Sequence, residues 1–157
     1  MLERQKYLVL YNIRSSYNVG AIFRTADAVG VNKIFLVGVT PCPLDKFKRS
    51  NSKISKSALG AETSVSWEYK KTISPLLKKF KKDQIQVIAL EQSSNSIDYK
   101  KIKLTENWTL VLGEETTGLP ESILKLCDQV AEIPMAGSKE SLNVAVATGV
   151  ALFEFIK

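Results

Sequence analysis

The feature that most constrains this chain is its end. Leu142, Ala145, Val146, Gly149, Leu152, Phe153 and Ile156 recur at helical spacing, and Val144, Ala147, Val150, Ala151 and Phe155 fill the opposite side of the same wheel. A helix that is apolar all round is ordinarily buried all round. At the end of a soluble chain, such a helix needs the domain on one side and a second subunit on the other. The stretch leading into it, Ile133 to Val144, sets a polar Ser141-Leu142-Asn143 trio between two apolar runs. That interruption predicts a tight turn or a bound ligand.

At 157 residues and 45% hydrophobic, residues 1–157 fit one globular domain with a full core. Cys42 and Cys127 have no metal-ligand spacing and no signal-peptide pattern opens the chain, which points to a reducing, cytoplasmic compartment. No apolar run is long enough to span a membrane. The chain contains no histidine, so Ser-His-Asp and Cys-His chemistries are excluded and the commonest metal ligand is missing. Twenty-two Lys and Arg against sixteen Asp and Glu give a net charge of +6, which favours a polyanionic partner. The lysines at 70–82 read as the solvated face of an ordinary helix. Lys46, Lys48, Arg49, Lys53 and Lys56 instead fall in a Ser/Asn-rich, pattern-free stretch from Pro41 to Ser57, where nucleic-acid contact and a merely solvated loop are both open readings.

Tyr7 to Tyr11 reads as a buried strand, Ser15 and Ser16 as helix N-caps, and Val19, Ile22, Phe23 and Ala26 as one face of an amphipathic helix. With a second strand at Lys33 to Val37, the opening unit is strand, helix, strand, a right-handed parallel crossover. A short strand near Val65, a helix from Thr72 to Lys82 and strands at Gln86 to Leu90 and Trp108 to Leu112 continue the alternation. A helix from Glu121 to Cys127, a strand from Gln129 to Ile133 and a final helix from Ser141 to Ile156 complete it. The pattern defines an α/β domain with a mainly parallel sheet flanked by helices. In such sheets ligands sit beyond the carboxyl ends of the strands. Three loops there carry unusual residues: Asn12 to Gly20, Gly113 to Pro120 and Pro134 to Asn143.

In the first loop, Arg24 points away from the apolar helix face, either to a ligand or another subunit, or as an exposed partner of Asp27. The second loop has P-loop glycine spacing without the Lys-Ser ending, and its two carboxylates would repel a triphosphate. Gly113 after a strand would allow close backbone approach to a ligand. A turn at Gly118 before a Pro120-initiated helix accounts for those two residues and leaves Glu115 unexplained. In the third loop, Ser141 reads either as the cap of the last helix or as part of a site. Gly149, inside that helix, suggests close packing against backbone.

Taken together, Asn18-Val19-Gly20-Ala21-Ile22-Phe23-Arg24-Thr25-Ala26, Leu112-Gly113-Glu114-Glu115-Thr116-Thr117-Gly118-Leu119, and Ile133-Pro134-Met135 through Ser141-Leu142-Asn143-Val144 resemble the three signature motifs of SpoU/TrmH-type RNA methyltransferases, in the SPOUT superfamily. Ser57-Ala58-Leu59-Gly60-Ala61-Glu62 adds to the resemblance, which covers nearly the whole chain. It implies a SPOUT fold with a C-terminal trefoil knot, a homodimer, S-adenosylmethionine as methyl donor and a ribose 2′-hydroxyl of tRNA or rRNA as acceptor. It further implies catalytic roles for Asn18, Arg24, Glu115, Ser141 and Asn143, and a cofactor pocket around Leu112, Gly113, Ile133, Met135 and Leu142. Arg14 joins Lys46, Lys48, Arg49, Lys53 and Lys56 as an RNA-binding candidate. Position 114 is Glu where many relatives carry Asn or Ser, which changes the local charge.

The attacking hydroxyl must lose a proton, and no histidine is present to take it. Arg24, which the resemblance casts in that role, is effectively always protonated; on physical grounds it holds the adjacent phosphate and favours the developing alkoxide. No metal is required, because transfer discharges the sulfonium and positioning supplies much of the acceleration. The competing function is a non-catalytic RNA-binding or assembly factor on the same fold. A Rossmann-type nucleotide enzyme has neither a Gly-x-Gly-x-x-Gly loop nor a P-loop Lys to support it.

Overall fold

The computed structural model describes residues 3–157. Its opening unit is β1 (Lys6–Tyr11), α1 (Ser16–Val29) and β2 (Lys33–Val37), close to the bounds read from the sequence. Then come α2 (Ser52–Ala58), α3 (Ala61–Ser64), β3 (Ser66–Lys70), α4 (Ser74–Lys82), β4 (Gln86–Leu90) and β5 (Ile97–Asp98). The chain closes with β6 (Trp108–Leu112), α5 (Glu121–Leu124), β7 (Gln129–Glu132) and α6 (Val144–Phe155). The strands form one sheet in the order β3-β2-β1-β6-β4-β7-β5, and every pairing is parallel.

The central strands are apolar runs covered on both faces, as parallel sheets require. All five residues of β6 are buried, as are Leu8, Val9 and Leu10 of β1. Their side chains alternate between two cores. Leu8, Leu10, Leu110 and Leu112 pack with α1, α2 and α6, and Val9, Val111, Val87 and Ala89 pack with α4 and α5. In α1 the four expected face residues, Val19, Ile22, Phe23 and Ala26, are fully buried. Ser15 Oγ accepts from the Asn18 amide at 3.2 Å to start that helix, and Gly30 ends it in the left-handed region at φ 73°.

The stretch from Pro41 to Ser57 is not a pattern-free loop, because its second half forms α2. Asn51 caps this helix by accepting from the amides of Lys53 and Ile54, and Ile54 and Ala58, one turn apart, face the core. Two apolar positions in seven residues are too few for a periodic signal. The helix packs on α1 so closely that a Cβ on Gly20 would lie 1.9 Å from Ser57 Oγ and 2.5 Å from the Ile54 carbonyl oxygen, so the contact requires glycine there.

Other boundaries shift for local reasons. The strand expected near Val65 begins at Ser66, and α4 begins at Ser74 with Pro75 in its first turn. The expected 121–127 helix ends at Leu124, and the two-residue β5 was not foreseen. The last helix starts at Val144 rather than Ser141, because Asn143 caps it by accepting from the amides of Ala145 and Val146. Thr148, Ala151, Leu152 and Phe155 turn α6 into the domain and against α1. On its other side Val146, Phe153 and Ile156 are 52%, 54% and 40% exposed, a stripe that the domain leaves uncovered. A Cβ on Gly149 would make only ordinary contact, 3.7 Å from Thr25 Cγ2, so the close backbone packing expected there is not present.

Candidate active site

The three loops singled out from the sequence follow β1, β6 and β7 and meet beyond the carboxyl ends of the strands, with the end of β4 alongside. Glu115 is the hub. Its carboxylate accepts from the Arg14 amide at 3.2 Å, the Ser15 amide at 3.1 Å and Asn18 Nδ2 at 3.3 Å. Asn143 Nδ2 in turn donates to Asn18 Oδ1 at 3.2 Å. One residue from each loop is therefore linked in a line, Asn143 to Asn18 to Glu115. A turn at Gly118 did not account for Glu115; holding the loop before α1 does.

Partial burial raises the Glu115 pKa, but hydrogen bonds from its own amide, from those of Arg14 and Ser15 and from Asn18 outweigh it, and the net shift is downward. Glu114 is also held below the usual carboxylate range, first by the Thr117 hydroxyl and then by Arg14, whose Nε sits 2.8 Å away. Both carboxylates are acceptors at neutral pH, and neither is poised as a general base near pH 7.

Beside this line lies a cavity of about 290 Å³, near the lower end of the range for small-molecule sites. All five residues expected around a cofactor, Leu112, Gly113, Ile133, Met135 and Leu142, line it, together with Glu115 and Ser141. Asn18, Arg24 and Asn143 do not. Five acidic residues, Glu91, Glu114, Glu115, Glu132 and Glu140, are among those lining it, and no Lys or Arg is; the carboxylates of Glu91, Glu114 and Glu115 are held by donors of the protein itself. A phosphate would be repelled there and a cationic group attracted. Gly113 lines the cavity through its backbone, and on the side where a Cβ would stand it packs against its own loop. A Cβ there would lie 2.7 Å from Gly118 C and from Leu119 N.

Sequence reasoning missed Glu91. It follows directly on β4, accepts from the Leu119 amide at 2.8 Å and the Gln92 amide at 3.0 Å, and so holds the end of the 113–119 loop. Its neighbour Gln92 donates to the Glu140 carbonyl at 2.6 Å, joining the β4 end to the loop after β7. A carboxylate one residue beyond a parallel strand was the available signal.

Arg24 is exposed and makes no ion pair or hydrogen bond among the described residues. The pairing with Asp27 is absent, and the Ser64 hydroxyl donates to Asp27 Oδ1 at 2.9 Å instead. Ser141 is not the helix cap, a role that Asn143 fills. Arg14 is drawn to Glu114, and Lys46, Lys48, Arg49, Lys53 and Lys56 are all exposed. Among the described residues no group of His, Cys, Asp and Glu is arranged to hold a metal ion, and no helix is long and apolar enough to cross a membrane.

The parallel α/β sheet, with its β1, β6 and β7 loops converging on an acidic, histidine-free cleft, is of the open-sheet class, and the cleft lies where such sheets place their ligands. Residues 5–153 match the model of the SpoU rRNA Methylase family, and the chain belongs to that family. It is 31% identical over 156 residues to the Escherichia coli K12 23S rRNA (guanosine-2′-O-)-methyltransferase RlmB, covering 99% of this chain and 61% of that protein. It is 33% identical over 142 residues to the tRNA (guanosine(18)-2′-O)-methyltransferase of the same organism, covering 90% of this chain and 58% of that one. The chain thus spans about 60% of the length of these curated relatives. Among solved structures, the AdoMet-bound rRNA methyltransferase from Sinorhizobium meliloti superposes with a TM-score of 0.81 at 33% identity, over 98% of this chain and 56% of that one.

Proposed function

We propose that this chain transfers a methyl group from S-adenosylmethionine to a ribose 2′-hydroxyl of tRNA or rRNA. The observation that carries the reading is the line from Asn143 through Asn18 to Glu115, which ties the three motif loops together beside a cavity with an acidic lining. The names of the relatives, 2′-O-methyltransferases of 23S rRNA and of tRNA guanosine 18, supply the reaction, and the AdoMet-bound Sinorhizobium meliloti structure supplies the cofactor.

The residues present fit that cofactor. Its sulfonium and ammonium are cations, and the lining is acidic with no Lys or Arg; the cofactor's single carboxylate needs neutral donors, which the lining supplies in Ser141, Thr116, Thr117 and backbone amides. Leu90, Leu112, Ile133, Met135, Leu142 and Val144 give an apolar bed for adenine. When bound, S-adenosylmethionine supplies an electrophilic methyl group. Glu115 and Asn18 hold the β1 loop rigid, and Arg24, with no partner in the described chain, is free to hold the phosphate next to the target ribose. As the 2′-oxygen forms its bond to the methyl carbon and the carbon–sulfur bond breaks, the hydroxyl proton leaves to phosphate or water, and Arg24 stabilises the charge developing on oxygen. Ser141, which lines the cavity without capping α6, is left to orient the cofactor.

The same reading includes a homodimer and a C-terminal trefoil knot, within one methyltransferase domain over residues 1–157 that acts in the cytoplasm. The exposed Val146, Phe153 and Ile156 stripe supports the dimer. Calorimetric titration with S-adenosylmethionine tests the reading. Micromolar binding that survives Arg24→Ala while methyl transfer is lost supports it. RNA binding without cofactor binding would make the chain a non-catalytic RNA-binding factor.

A further inference from the structure

The turn between β2 and α2 carries an aromatic ring that the core does not use. Phe47 is 65% exposed, in a turn whose ends are joined by a bridge between Leu44 and Ser50. The turn is built to hold its shape. Asp45 Oδ1 accepts from the Phe47 amide at 2.8 Å and the Arg49 amide at 2.9 Å, and Oδ2 accepts from Arg49 Nε at 2.8 Å. Lys48 sits at φ 61°, a left-handed conformation that costs a non-glycine residue about 1 kcal/mol and persists where its surroundings over-determine it.

Two cations lie over the ring, and a stacking base would take their place there and leave them to its phosphates. Lys46 Nζ lies 5.1 Å from the Phe47 centroid and the Arg49 guanidinium carbon 5.0 Å from it. The turn is also anchored to the candidate site: the Asn51 amide donates to the Pro43 carbonyl at 3.0 Å, and Asn51 Nδ2 donates to Ser16 Oγ at 3.1 Å. Ser16 opens α1 two residues before Asn18, so the turn stands on the rim that carries the β1 loop. An exposed ring among cations matches an unpaired base between its phosphates. A base inside a duplex has no free face to offer.

We propose that Phe47 stacks on an unpaired nucleobase of the RNA substrate while Lys46, Lys48 and Arg49 meet the flanking phosphates. This rests on the RNA methyltransferase reading and narrows its substrate to RNA that presents single-stranded nucleotides near the methylated ribose.

The test is a fluorescence-anisotropy titration of the full chain with two labelled RNAs, a stem closed by an unpaired loop and the same stem as a blunt duplex. Wild type should prefer the loop RNA by about tenfold. Phe47→Ala should lose that preference with an unchanged salt slope, and Phe47→Tyr should keep it. Lys46→Ala should weaken both RNAs alike and lower the salt slope by about one. Thermal unfolding of Phe47→Ala, at so exposed a position, should match wild type. The proposal is overturned if Phe47→Ala keeps the loop preference, weakens both RNAs equally, or changes the sedimentation of the protein. Failure of wild type to bind either RNA would overturn the RNA reading, and the stacking role with it.

Discussion

Asn143 makes two kinds of bond at once: its side-chain carbonyl caps α6 through the amides of Ala145 and Val146, and its side-chain amide reaches Asn18 Oδ1, 125 residues earlier, at 3.2 Å. The two roles are separable by substitution. Asn143→Asp keeps an oxygen for the cap and removes the donor to Asn18; Asn143→Ala removes both. Loss of the cap costs about 1 kcal/mol, or roughly 2–4 °C in Tm for a chain of this size. Asn143→Asp should therefore unfold within about a degree of wild type and still lose most methyl transfer, whereas Asn143→Ala should lose both. Equal melting losses in the two variants would mean that the link to Asn18 matters only to the fold.

Glu115 sets the pH behaviour. The folded state lowers its pKa below the ordinary 4.5, so the stability it contributes is present above that value and is lost as pH falls through the depressed folded value. Between pH 6 and 8 it stays ionised, and cofactor affinity measured across that window should not change on its account. Glu115→Gln leaves a single oxygen where the carboxylate served three donors outside its own residue. Losing charged hydrogen bonds of this kind should slow transfer by about ten- to a hundredfold. A variant as fast as wild type would leave Glu115 without a role in the site.

Gly118 and Glu91 are coupled by space. At φ 67°, Gly118 already disfavours a side chain, and a Cβ there would lie 2.2 Å from Glu91 Oε2, displacing the carboxylate from the Leu119 amide. Gly118→Ala should therefore cost more alone than in a Glu91→Ala background. The two changes should fall short of additivity by about 1 kcal/mol in chemical denaturation. Strict additivity would show that Glu91 does not hold the loop.

The uncovered stripe on α6 makes the oligomer testable. Phe153→Asp places a charge among Val146 and Ile156, which an apolar contact between copies would not tolerate. Sedimentation should show the wild-type chain as a dimer and this variant as a monomer. A wild-type monomer would remove the second subunit from the account.

Legibility in the sequence tracked local signal. The strands at Lys33–Val37, Gln86–Leu90 and Trp108–Leu112 were read to the residue, because β-branched and apolar runs bounded by polar residues leave little choice. α2 was missed, since its packing depends on Gly20 in another helix rather than on its own periodicity. Leu112, Gly113, Ile133, Met135 and Leu142, which the motif resemblance marked for the cofactor, line one cavity. Glu91 and Phe47 were not foreseen, because one acts on an amide 28 residues away and the other is defined by what fails to cover it. Gly113 was legible as a special position, and the packing of Gly118 and Leu119 against it adds a second reason for glycine there.

The central claim is the chemistry at the ribose, and alkaline hydrolysis reads it directly. RNA from cells lacking the gene, incubated with the protein and methyl-labelled S-adenosylmethionine, is digested with alkali, which needs a free 2′-hydroxyl to cut the neighbouring phosphodiester. Ribose methylation leaves the label in alkali-stable dinucleotides, and that is the predicted result. Label released in mononucleotides, as a methylated base would give, or no label in RNA at all, would contradict the account.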